Sequence, residues 1–91
     1  MKKAPKLEKT AINPDQLVGT KWIGWGEFVG NQMAIEFIDQ KNCVYTSRSM
    51  KFPMTYTVSE GKIFISGISV SFELSGNVLF NNNIPAFEKA A

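Results

Sequence analysis

The chain has 91 residues, 44% of them apolar and 12% aromatic, with seven Gly, four Pro, one Cys and no His. That length accommodates one compact domain, and such a domain buries only about 60 to 65% of its extended-chain surface, so most large apolar side chains are needed for its core. The composition lies outside the disordered class, and no run approaches the roughly 20 apolar residues that cross a bilayer as a helix. A large enzyme cleft is not expected.

Charge divides unevenly. Residues 1–9 carry Lys2, Lys3, Lys6 and Lys9 against Glu8, whereas the rest carries six cations against seven carboxylates. Nucleic-acid binding needs Lys and Arg clustered on the fold to displace counterions, and a near-neutral domain with the single Arg48 does not supply it. The Lys-rich start lacks the apolar stretch of about seven to fifteen residues that an export signal requires. Residues 1–12 are read as a flexible Lys-rich tail and 13–89 as the domain. A short Lys/Pro tail ahead of a strand-rich domain suits a spacer behind a removed lipid anchor, so an extracytoplasmic place is expected, with a cytoplasmic one as the alternative.

Asn13-Pro14-Asp15-Gln16 reads as a helix start: Asn caps, Pro fits the first helical position, and Gln reaches back to the cap amide. Gly19 stops the turn, and Leu17 and Val18 are placed to close one end of a barrel. Period-two alternation follows. Thr20 to Phe28 is read as the first strand; Met33, Ile35 and Phe37 share a face of the next, and Asp39 to Asn42 makes a polar turn into Cys43 to Arg48. Met54, Tyr56 and Val58 alternate with Thr55, Thr57 and Ser59, and Glu60-Gly61 turns the chain into Ile63 to Ser66. Val70, Phe72 and Leu74 form another face, Ser75-Gly76-Asn77 turns into Val78 to Phe80, and Asn81 to Asn83 tolerates the positive φ of a tip before Ile84 to Phe87.

About eight short strands joined mostly by short links favour antiparallel neighbours, since a parallel crossover takes a dozen residues or more. Closing the sheet removes exposed edges. The expected fold is therefore all-β, a small antiparallel meander barrel with a short N-terminal helical turn. Its interior is assigned to Trp22, Met33, Ile35, Phe37, Tyr45, Met54, Tyr56, Val58, Ile63, Ile65, Val70, Phe72, Leu74 and Phe80, which are bulky enough to fill it.

Leu17-Val18-Gly19-Thr20-Lys21-Trp22 resembles the opening Leu-x-Gly-x-Trp segment of the small bacterial lipocalin-like barrels, with one residue more between Gly19 and Trp22. The hairpins Tyr56-Thr57-Val58 to Ile65 and Phe72 to Leu79, and the closing Pro85-x-Phe87-Glu88-Lys89, are similar to that family's repeated pattern. The resemblance spans roughly residues 17–89. It implies an exported or lipid-anchored barrel, with roles in such families running from small-molecule binding to protease inhibition.

Without His, a Ser-His or Cys-His nucleophile has no base. One Cys and scattered carboxylates show no metal-ligand spacing, and Gly24-x-Gly26 leads into strand-like residues rather than a phosphate-cradling helix. Cys43, in an apolar run, reads as a buried structural thiol. No catalysis, metal or cofactor is expected. Strand phase instead leaves Ile23, Trp25, Ile38, Val44, Phe64 and Leu79 pointing outward, which bulges at Gly24 or Gly26 would explain, or which form a patch for a partner protein with Trp25 as anchor. Arg48-Ser49-Met50-Lys51-Phe52-Pro53-Met54 is either a cap over the barrel mouth or a recognition loop. The expected partner-binding residues are Ile23, Trp25, Arg48, Met50, Phe52 and Phe64; Ser66, Gly67, Ile68 and Ser69 are the loop that a protease inhibitor would present. A small hydrophobic ligand inside the barrel is the third reading.

Overall fold

The computed structural model describes residues 12–25 and 33–90. Residues 1–11 of the expected tail over 1–12, and Gly26, Glu27 and Phe28 of the expected first strand, lie outside the described residues. Eight strands close into one antiparallel meander barrel: β1 (Lys21–Gly24), β2 (Ala34–Phe37), β3 (Asn42–Ser47), β4 (Met50–Ser59), β5 (Lys62–Ile65), β6 (Ser71–Ser75), β7 (Val78–Asn81) and β8 (Ile84–Lys89), with β8 returning to pair with β1.

Turn chemistry sets this order. Four hairpins have two-residue loops, and Arg48-Ser49, Glu60-Gly61 and Asn82-Asn83 each hold positive φ at both positions, the type I′ pattern whose twist matches that of the flanking strands. Gly76 alone takes positive φ in the β6–β7 loop, the type II′ pattern. At the β2–β3 turn Asp39 Oδ1 accepts from the Lys41 and Asn42 amides, both at 2.8 Å, and from the Asn42 side chain. These bonds to the ionised form, the Asn42 side chain foremost, hold the Asp39 carboxyl below its ordinary pKa.

Running strands up and down gives the barrel two ends. One receives the start of β1, the β2–β3 turn and the β4–β5 and β6–β7 turns, and it is plugged by a 3-10 turn over Pro14–Gln16. The expected capping box is present, with Asn13 and Gln16 bonding reciprocally. Leu17 behind it is wholly buried, whereas Val18 is exposed. Trp22 Nε1 donates to Thr20 Oγ1 at 2.9 Å, and the Tyr56 hydroxyl donates to the Asp39 carbonyl at 2.5 Å, so both buried polar tips are satisfied where the plug meets the barrel. Phe37 meets Tyr56 edge-on at 4.9 Å.

The interior cluster comprises Leu17, Trp22, Ile35, Phe37, Cys43, Tyr56, Ile63, Ile65, Phe72, Leu79, Ala86 and Phe87. Cys43 is buried as expected, and desolvation pushes its thiol pKa up to about 11. One expected phase is corrected. Leu79 pairs in regular register with Leu74 and joins the interior cluster beside it, although alternation had placed it outward; across Leu79 and Phe80 the β7–β8 register shifts by one residue on β8, where Ala86 and Phe87 both enter the cluster. Phe80, expected inside, is buried but stands apart from that cluster, in register with Glu73 and Pro85. Val70, also expected inside, is exposed on the loop before β6.

Candidate functional site

The other end of the barrel gathers the β3–β4 hairpin, the loop at 66–70 and the β7–β8 turn. The hairpin is longer than its neighbours allow. β4 pairs with β3 from Met50 to Thr55 but with β5 only from Tyr56 to Ser59, while β2 reaches Thr46 and no further. Its tip therefore extends past the ladder on both sides. On the unpaired side Thr55 turns its backbone toward β5, so by alternation Lys51 and Pro53 present theirs to the free edge. Pro53 has no N–H and Lys51 carries a charge, two devices that discourage an added strand.

Register gives the hairpin two faces. Tyr45, Phe52 and Met50 share the phase of Trp22 and Ile35 but lie beyond the filled part of the barrel. Phe52 stacks on Tyr45 at 6.3 Å between centroids and stays 38% exposed, and Met50 is 61% exposed. Beneath them a pocket of about 210 Å³ opens into the mouth, lined by Met33, Tyr45, Ile68, Val70, Phe72 and Phe87 among others. The expected filled interior thus holds toward the plugged end. Exposed Val70 and Ile84 stand on the same rim as Met50 and Phe52.

The opposite face of the hairpin looks onto the outer wall, where a second concavity of about 340 Å³ runs along β1, β2 and β3, lined by Lys21, Ile23, Ala34, Thr46 and Ser49. Small residues at Ala34, Thr46 and Ser49 form its depression between bulkier neighbours.

The six expected partner-binding residues therefore separate. Met50 and Phe52 stand at the mouth; Ile23 lies on the outer wall in the groove that Ser49, next to Arg48, also lines. Trp25 is half-buried just past β1, its amide donating to the Ala86 carbonyl. Phe64 is outward on β5, half the barrel's circumference from β1, beside a shallow depression bordered by Thr55, Thr57 and Ser66. No single patch unites Ile23 with Phe64. The loop Ser66 to Ser69 is fastened: Ser66 Oγ lies 2.8 Å from Thr55 Oγ1, Ile68 packs against the interior cluster, and Gly67 at φ 92° sits against the Met54 side chain.

Among the described residues no three of Cys, Asp and Glu come together to hold a metal ion, and no helix is long and apolar enough to cross a membrane. Sequence reasoning singled out Ile23 but missed the groove, because Gly24, Ala34, Thr46 and Ser49 are small residues that signal nothing until register puts them side by side. Comparison with protein-family models, curated proteins and solved structures finds no match to this chain.

Proposed function

We propose that this protein is a non-catalytic, lipocalin-like binding module that recognises another protein through the open end of its barrel. The observation that carries the reading is the overlong β3–β4 hairpin, which holds Met50 and Phe52 out on the rim together with Val70 and Ile84. Large apolar side chains kept in water around a concave mouth are what a partner's surface buries, and an aromatic such as Phe52, already stacked on Tyr45, loses little freedom on binding. In this reading the domain works outside the cytoplasm, tethered or released. Photo-crosslinking from position 52 in the producing cell tests it, with position 62 at the plugged end as the comparison: a discrete protein adduct from 52 alone is expected. Adducts from neither position, or equally from both, would count against the open end as the recognition surface.

A second reading rests on the mouth pocket. Its apolar lining over about 210 Å³ suits a small hydrophobic ligand, since benzene enters engineered cavities of about 150 Å³. Native mass spectrometry with a panel of lipids and small aromatic compounds decides it: a one-to-one adduct lost in Phe72→Trp supports a carrier, and no adduct from any compound removes it.

A further inference from the structure

The outer groove along β1, β2 and β3 shares Met33 with the mouth pocket but opens on the outer wall, and the three cations in or beside it outnumber the two carboxylates next to it, Glu36 and Glu88. Lys21 lines one part of it. At the other, Ser49 lines it beside Arg48, and Lys51 stands in register with the lining residue Thr46. None of these three cations is ion-paired with a carboxylate among the described residues, although Glu36 stands opposite Lys21 in the β1–β2 register. Glu88, across from Ile23 on the β8 side, already has an interaction of its own. Between the cations the lining is neutral, with Ile23 as an exposed apolar edge over the small Ala34 and Thr46.

We infer that this groove holds an extended acidic segment of a protein partner, with an apolar side chain against Ile23 and carboxylates near Lys21 at one end and near Arg48 and Lys51 at the other. Spacing selects an extended chain over a single anion. Three strand intervals and two residues of rise separate Lys21 from Lys51, and two intervals and four residues separate it from Arg48, roughly 15 Å in either case and a reach of about four to five extended residues. One carboxylate cannot span it. A run of alternating acidic and apolar residues can, and cations on the rim steer such a segment into place.

The test is fluorescence anisotropy of the full chain with three labelled peptides of equal length built around a central Leu, flanked by Glu, Gln or Lys. The Glu peptide is expected to bind saturably, and about tenfold more weakly in 0.5 M salt. Lys51→Glu should weaken it about tenfold and Arg48→Asn about threefold, while Lys62→Glu on the far wall leaves it unchanged. Arg48→Asn suits the positive φ at that position, so a loss there reports charge and not folding. Equal binding of the Gln peptide, indifference to Lys51→Glu, or capture of phosphatidylglycerol vesicles without capture of the Glu peptide would each overturn the inference. Crosslinking at the mouth can succeed or fail without altering these outcomes.

Discussion

At the scale of single residues, burial decides chemistry. Cys43 faces the interior in register with Phe37 and Met54, and water-poor surroundings oppose its thiolate, the form that reacts. Its modification by a thiol reagent at pH 8 is therefore expected to follow global unfolding, with a rate that rises in step with denaturant; a fast reaction in the native state would contradict the burial. Because the folded pKa of about 11 lies above that of a free thiol, Cys43 favours the folded state below about pH 8.5. That contribution falls as pH rises toward 11 and the unfolded chain alone ionises. Asp39 behaves in the opposite sense. Its lowered pKa gives stability that is fully present above the free-carboxyl range near pH 4 and is lost as acid protonates the folded form. Acid unfolding of Asp39→Asn should consequently show a weaker pH dependence below pH 4 than that of the unaltered protein.

At the scale of elements, the turns carry a cost that substitution can relieve. Arg48 and Ser49 both adopt positive φ, a conformation that Asn and Gly accept more readily. Combining Arg48→Asn with Ser49→Gly is expected to raise stability by about 1 kcal/mol, read as a higher denaturation midpoint with an unchanged slope. The same double substitution removes one of the cations beside the outer groove, so a gain in stability with a loss of acidic-peptide binding would separate the two roles of the turn. Gly19 gives the converse: at φ 79° with open space around its Cα, Gly19→Ala meets backbone strain but no clash, and a loss of about 1 kcal/mol is expected.

At the scale of the whole molecule, the barrel is asymmetric along its axis. Leu17, Trp22, Phe37 and Tyr56 pack one end under the 3-10 turn, and the other end keeps a pocket and an apolar rim. The packed plug and the apolar rim are thereby separated in space. Leu17→Ala should cost about 2 to 5 kcal/mol by leaving a cavity at the plug, whereas Met50→Ser with Phe52→Ser should shift the melting temperature little and abolish crosslinking from a probe placed at position 84 on the same rim. A large loss of stability in the double variant would assign the hairpin to the core of the fold.

The sequence by itself determined the strands, most of the turns and the closure of the sheet, because period-two alternation and positive-φ residues are local properties, set by the side chain and its immediate neighbours. Asn13 with Gln16, Asn82 with Asn83, and the Glu60-Gly61 turn were legible for that reason. Leu79 and Phe80 were not, because Val78, Leu79 and Phe80 are all apolar and all buried, so that stretch carries no alternation from which a phase can be read. Only the tertiary structure decided which outward side chains become neighbours. Cyclic strand order puts Ile23 beside the depression at Ala34 and Thr46 and sends Phe64 to the far wall, and unequal pairing along β4 lifts Met50 and Phe52 onto the rim. Register and closure join residues distant in the chain, and no local pattern encodes which of those residues will share a surface.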